Sequence, residues 1–219
     1  MIVRQTIPIA QPQGSTKGWD SLTEAQIAVE KENLRRYMLR LRDRQSIGEI
    51  EQKSQDIIDQ VLHLHEYVRA RGIACYVSKD SEVNTRILIR AALDQEKRVL
   101  IPVVKKGDIE LFFSEIKDLG SEVAPGTFGI LEPKPEFANP VSLDTVDVIF
   151  VPGIVWDREG YRLGWGRGYF DRVIKNLPPH VRSAGLAFNM QLIGKVPRDQ
   201  FDVPVDMVVT ESRVIRGRR

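Results

Sequence analysis

Apolar runs without alternation constrain this chain most. Ile73-Ala74-Cys75-Tyr76-Val77 and Val148-Ile149-Phe150-Val151 each lack the polar–apolar rhythm of a strand wetted on one face. Strands buried on both faces read this way. Such runs recur with helical stretches between them, which implies a parallel sheet covered by helices on both sides. The strands expected are Gly72 to Ser78, Arg98 to Val104, Asp147 to Val151, Ser183 to Phe188 and Met207 to Thr210. A helix is expected from Asn84 to Gln95, with Ile87, Leu88, Ala91 and Ala92 apolar, and another from Gly168 to Leu177. Lys105-Lys106-Gly107-Asp108 reads as a turn into Ile109 to Ile116, giving a hairpin. Ala124 to Pro140, rich in Pro and Gly, reads as loop. The fold class is therefore α/β: a three-layer α/β/α sandwich with a mostly parallel central sheet and a small antiparallel addition.

Two helices precede the alternation. From about residue 23 to 45, Ile27, Leu34, Met38 and Leu41 make one stripe, and Lys31, Arg35 and Arg42 lie close to one face offset from it. The second is expected from Ile47 to about Ala70, with Ile50, Ile57, Val61, Leu64 and Val68 as its apolar face. Ser46 and Glu49 have the spacing of a capping box at its start.

With 219 residues, the chain has room for one domain with a sizeable core, or at most two small ones. One α/β unit is expected over residues 21–215, after a disordered extension over residues 1–20. A net charge of +2 gives no global case for nucleic acid. Cys75 is the single cysteine, which excludes an internal disulfide and fits a reducing compartment. The three histidines lack metal-ligand spacing with it or with one another. No apolar stretch reaches membrane-spanning length, so the expected setting is cytoplasmic and without membrane contact; a monomer is the default for a chain of this size with no obvious exposed apolar stripe.

The chemistry concentrates in Arg162-Leu163-Gly164-Trp165-Gly166-Arg167-Gly168-Tyr169, closed by Phe170-Asp171-Arg172. Glycine tolerates positive φ and lets backbone N–H groups press against a ligand. A run of such groups forms an anion-binding nest, to which the following helix would add its positive end. The spacing is neither the dinucleotide fingerprint nor a P-loop. A tight structural turn would explain the glycines but not Arg162, Arg167, Asp171 and Arg172. In open α/β sheets ligands sit beyond the carboxyl ends of strands, which points to Ser78–Glu82, Pro102–Lys106, Gly153–Gly168 and the segment after Phe188. Glu82 in that setting is either a site carboxylate or a first-turn acid complementing a helix dipole. Asp202 and Asp206, around Val203-Pro204-Val205, fit turn chemistry as well as a metal site.

Taken together, these residues resemble the 5-formyltetrahydrofolate cyclo-ligase family over roughly residues 30 to 211. The resemblance is carried by Lys31-Glu32-Asn33-Leu34-Arg35, Tyr76 through Glu82-Val83, Phe128-Gly129-Ile130-Leu131-Glu132-Pro133, Val151-Pro152-Gly153, the glycine loop through Arg172, and Asp202-Val203 with Thr210-Glu211. It implies an ATP-dependent, magnesium-requiring ligase of one-carbon metabolism, closing 5-formyltetrahydrofolate to 5,10-methenyltetrahydrofolate with release of ADP and phosphate. By resemblance, Lys31, Arg35, Arg162 and Leu163-Gly164-Trp165-Gly166-Arg167-Gly168-Tyr169-Phe170 are the ATP-binding positions. Val77, Glu82, Trp165, Gly166, Gly168 and Tyr169 are the reduced-folate positions, and Asp171 and Asp202 hold Mg2+. Arg162, Arg167 and Tyr169 are the positions expected to act on the transferring phosphoryl group. Phe170 stands where a second tyrosine is frequent in the family, and Asn84 where an acid is usual. These two departures keep open a folate- or nucleotide-binding paralogue without turnover. A phosphosugar isomerase on a similar sheet is a third reading, for which an acid–base pair with histidine is lacking.

Overall fold

The computed structural model describes Trp19 and residues 22–104 and 110–217. Its helices and strands, in chain order, are α1 (Glu24–Arg42), α2 (Ile47–His63), α3 (His65–Arg69), β1 (Gly72–Cys75), α4 (Arg86–Asp94), β2 (Arg98–Val104), β3 (Leu111–Ile116), β4 (Val123–Pro125), β5 (Leu131–Pro133), β6 (Pro140–Val141), β7 (Val148–Val151), β8 (Val155–Asp157), β9 (Arg162–Leu163), α5 (Tyr169–Lys175), β10 (Arg182–Leu186), β11 (Leu192–Ile193), β12 (Met207–Val209) and β13 (Val214–Arg216). The main sheet runs β13-β12-β10-β7-β1-β2-β3-β6. Its five inner strands, β12 to β2, are parallel; β13, β3 and β6 are antiparallel additions at the edges.

Side chains alternate across this sheet as strand geometry requires. Ile73 and Cys75 of β1 face the core built with Ile57, Ile58 and Val61 of α2 and Leu88, Ile89 and Ala92 of α4. Ala74 faces the opposite core, built with Ile149, Trp156 and Ile174 of α5. Both faces are dry, which is why the strands read as continuous apolar runs. A third cluster joins Leu34 and Met38 of α1 to Ile154, Val155 and Leu163 around the β8–β9 hairpin. That contact fixes α1 against the chain segment that leads into the glycine loop.

Several local expectations change. The helix expected from Ile47 to Ala70 breaks at Leu64, whose backbone is extended and ends α2 while opening α3. The break takes α3 out of the periodicity of α2, so Tyr67 is buried and Val68 lies exposed. On α1, Lys31 and Arg42 are not offset from the apolar stripe; they are buried in it beside Leu34 and Met38. The stretch read as loop from Ala124 to Pro140 contains the β4–β5 pair. The strand expected to Ser78 ends at Cys75, because Ser78 instead exchanges hydrogen bonds with Thr85 across the β1–α4 connection. β2 and β3 pair as the hairpin reading requires, Val104 opposite Leu111; the turn residues Lys105 to Asp108 lie outside the described residues, as does the expected extension apart from Trp19. The Ser46–Glu49 capping box forms in both directions.

Taken in chain order, the five parallel strands β1, β2, β7, β10 and β12 have the spatial order 2-1-3-4-5. This doubly-wound order reverses direction between β1 and β7, and the crevice beyond their carboxyl ends is where ligands bind in such sheets. Cys75 pairs with Phe150 at that point, so Tyr76 leaves the sheet beside Val151, the last residue of β7, which still pairs with Gly185 of β10.

Candidate active site

A cavity of about 840 Å³ opens over this switch point. Its size suits one or two small-molecule ligands. Every residue expected at the site lines it: Lys31 and Arg35 from α1, Val77 and Glu82 after β1, Arg162 through Phe170, Asp171 and Asp202. The walls also include Tyr76, Asp80 and Glu132, which carried the family resemblance without an assigned site role, and Asp199 and Phe201, which the sequence did not single out. Of the four expected loops, the segment directly after Phe188 does not reach the cavity; residues near Asp202 take its place.

The glycine loop is built from two different needs. Gly166 and Gly168 have φ of 92° and 64°, the region in which a side chain is strained. Gly164 is not in that region, and a Cβ there would meet nothing within 4 Å. Its contribution is a carbonyl, which accepts a hydrogen bond from Arg35 Nε at 2.7 Å. The loop is thereby tied to α1. Gly168 caps α5, a helix of only two turns, so its end supplies a small dipole at most and the nearby cations carry most of the positive charge.

Cations on this wall are held by carboxylates. Lys31 Nζ donates to Asp199 at 2.8 Å and also to Asp202. Arg162, 4% exposed, donates to Asp171 at 3.1 Å and to the Val203 carbonyl at 3.2 Å. Burial lowers the proton affinity of its guanidinium, and Asp171 and then Asp202 oppose that loss. Arg162 Nε, buried, has no hydrogen-bond partner. Arg172 stacks over the Tyr169 ring at 5.4 Å and donates to the Arg167 carbonyl, bracing the loop from its far side. Phe170 packs into both faces of the core, so a phenyl ring there serves the fold.

The opposite wall is drier. Val77 is buried beside Tyr76, and Glu82 is 8% exposed. Glu82 precedes α4, whose N-cap is Thr85, so it is not the first-turn acid of that helix. Its carboxylate accepts the Lys79 backbone N–H at 3.0 Å. Burial pushes the Glu82 carboxyl above the usual range, against the pull of the Lys79 N–H, Arg42 and the Trp165 indole that hydrogen-bonds to it. Trp165 itself is 59% exposed at the mouth, so the glycine loop is clasped by Arg35 on one side and by Glu82 on the other. Asp206 lies apart, binding Ser183 through its backbone N–H and hydroxyl; it is a structural turn residue.

Asp171 and Asp202 share the cavity and both act on Arg162. Among the described residues no group of three or more His, Cys, Asp or Glu could hold a metal ion. Asp171 and Asp202 are hard carboxylates, and such a pair fits magnesium bound through one or two carboxylates with phosphate oxygens and waters making up the rest. It does not fit a self-sufficient metal cage.

The 2-1-3-4-5 sheet, with a cationic glycine loop and a buried acid facing each other across one cavity at its switch point, defines an α/β protein with a small-molecule site. The model of the 5-formyltetrahydrofolate cyclo-ligase family matches residues 27–211. The chain is 33% identical over 157 residues to the 5-formyltetrahydrofolate cyclo-ligase of Haemophilus influenzae, covering 70% of this chain and 83% of that protein. It is 31% identical over 182 residues to that of Escherichia coli K12, covering 81% and 98%. The NMR structure of Aquifex aeolicus 5,10-methenyltetrahydrofolate synthetase superposes with a TM-score of 0.75 at 34% identity, over 86% of this chain and 93% of that one. The chain belongs to the 5-formyltetrahydrofolate cyclo-ligase family, a family of enzymes.

Proposed function

We propose that this enzyme converts 5-formyltetrahydrofolate to 5,10-methenyltetrahydrofolate, with ATP as co-substrate, Mg2+ required, and ADP and phosphate released. One observation carries the reading: a single cavity holds Lys31, Arg35, Arg162 and the glycine loop on one wall and Val77 and Glu82 on the other, with Trp165 of the loop reaching across to Glu82. The first wall suits a triphosphate, the second a flat heterocycle with N–H donors.

The formyl oxygen of the folate is a poor leaving group. Its attack on the γ-phosphorus of ATP expels ADP and leaves a phosphorylated formyl group on N5. N10 then attacks that carbon and loses its proton, and departure of phosphate forms the N5–CH–N10 cation. Phosphoryl transfer of this kind depends on alignment and charge neutralisation rather than on a side-chain nucleophile. Lys31, Arg35, Arg162 and Arg167 are the cations for the phosphates, and Arg162 and Arg167 stand where charge develops on the transferring group. Gly164, Gly166 and Gly168 let backbone approach them, with Leu163 and Phe170 anchoring the loop ends. Tyr169 lies beside the reacting atoms in this reading. Glu82 accepts from pterin N–H groups, over Val77. Asp171 and Asp202 would hold Mg2+, which supplies neutralisation of the phosphate oxygens. Lys31 would exchange Asp202 for phosphate when nucleotide enters.

All of this machinery lies between residues 31 and 202, within one α/β unit over residues 21–215. No described helix is long and apolar enough to cross a membrane, and Cys75 is a buried free thiol. A cytoplasmic monomer whose partners are the two small molecules is the setting we favour.

The test is absorbance in the methenyltetrahydrofolate band after mixing protein, 5-formyltetrahydrofolate and Mg2+, with and without ATP. A rise that needs ATP and matches ADP release supports the reading. Folate binding by calorimetry with no ATP-dependent rise would overturn it in favour of a binding protein.

A further inference from the structure

Arg42 closes α1 and does not line the cavity, yet it is 2% exposed. A buried guanidinium at a helix end needs a reason, since desolvating a charge is costly unless it is paired. Arg42 Nε donates to Ser81 Oγ at 3.0 Å, and the Ser81 hydroxyl in turn donates to Asp43. Ser81 is the residue before Glu82, so this bond fixes the connection that presents the Glu82 carboxylate. Arg42 also acts electrostatically on both Glu82 and Tyr76.

We infer that Arg42 is a positioning residue for the folate side of the cavity: from the last turn of α1, through Ser81, it holds the connection that presents the Glu82 carboxylate as an acceptor. The inference rests on the reading of Glu82 as a folate contact. The groups facing Glu82 are Arg42 from α1, the Lys79 N–H and Asp80 from its own connection, Tyr76 after β1, and the Trp165 indole from the glycine loop. Of these, Arg42 is the buried cation. Without it, burial and Asp80 act on Glu82 with less opposition, and a protonated carboxyl offers a donor where the pterin presents donors as well.

The test compares Arg42→Met, Arg42→Lys, Ser81→Ala and Glu82→Gln, with KM for 5-formyltetrahydrofolate and for ATP measured from about pH 6 to pH 9. Arg42→Met is expected to raise the folate KM at neutral pH about tenfold, roughly the loss of one hydrogen bond to a charged group. The ATP KM stays put. The defect shrinks as pH rises and the carboxylate re-forms, and Arg42→Lys recovers part of it. An equal rise in both KM values, a defect independent of pH, or an unchanged folate KM would overturn the inference. Should Arg42→Met fail to fold, Ser81→Ala must show the same folate-selective change, and its absence overturns the role. Glu82→Gln separates the two layers. If it leaves the folate KM unchanged, the folate reading of Glu82 has failed; if it raises that KM and Arg42→Met does not, only the role of Arg42 has.

Discussion

Arg35 Nε donates to the carbonyl of Gly164 at 2.7 Å, which joins the first helix to the loop that carries the cations. The guanidinium also sits under Gly166, 3.7 Å from where a Cβ there would lie. One side chain thus sets the distance between α1 and two residues of the loop. A lysine cannot reproduce this, because its point-like ammonium lacks the fork that fills the space and donates in a fixed direction.

Arg35→Lys is therefore expected to weaken ATP use more than folate use. A hydrogen bond involving a charged group contributes about 1.5–3 kcal/mol, so kcat/KM for ATP should fall by at least tenfold. Steady-state kinetics with each substrate varied in turn measure the split. An equal loss for both substrates would place Arg35 in the scaffold only.

The three glycines should separate by stability. Gly166→Ala and Gly168→Ala force a side chain into positive φ, at a cost of about 1–2 kcal/mol each. Gly164→Ala meets open space and should fall within about 0.5 kcal/mol of the parent. Urea denaturation midpoints report the difference. A Gly164→Ala as destabilised as the other two would mean that the loop does not hold its glycines in these conformations.

Much of this architecture is written locally in the chain. The continuous runs around Ile73 and Val148 reported burial on both faces, and Ser46 with Glu49 reported a helix start, because each signal lies within a few residues. What stayed hidden depends on distance. Asp199 meets Lys31 across 168 residues, and nothing near Asp199 marks it. Lys31 and Arg42 occupy buried positions on α1, yet periodicity counts apolar residues and passes over cations that bury their charge against a partner. The break at Leu64 contains neither Gly nor Pro, so tertiary packing of Tyr67 decides it. Strands as short as β8 and β9 carry too few residues to show a period of two.

Asp171→Asn should reduce both activity and stability. Asp171 is the counter-ion of the buried Arg162, 3.1 Å away, and its loss leaves that guanidinium with Asp202 and the Val203 carbonyl. Removing one partner of a buried pair costs about 3–5 kcal/mol. Asp171 is partly exposed and Asp202 shares the charge, so roughly 2 kcal/mol is expected here. Chemical denaturation gives that value, and titration of turnover against Mg2+ gives the other. A variant that keeps full stability would show that Arg162 does not depend on Asp171. Unchanged activity at limiting Mg2+ would remove Asp171 from the metal role.

Glu82 links folding to pH in the opposite sense from a surface carboxylate. Burial raises its pKa in the folded protein, whereas an unfolded chain titrates near about 4.3. Between those two values the folded state binds a proton that the unfolded state has released, so this residue's contribution to stability falls as pH rises through that window. Glu82→Gln cannot titrate and lacks this contribution. Stability measured by urea at a series of pH values should therefore shift in favour of Glu82→Gln, relative to the parent, from about pH 4 upward. The shift levels off once the parent's carboxyl is ionised. A constant difference across that range would mean that Glu82 is not held in a desolvated setting, and that its hydrogen bonds to Lys79 and Trp165 fully offset burial.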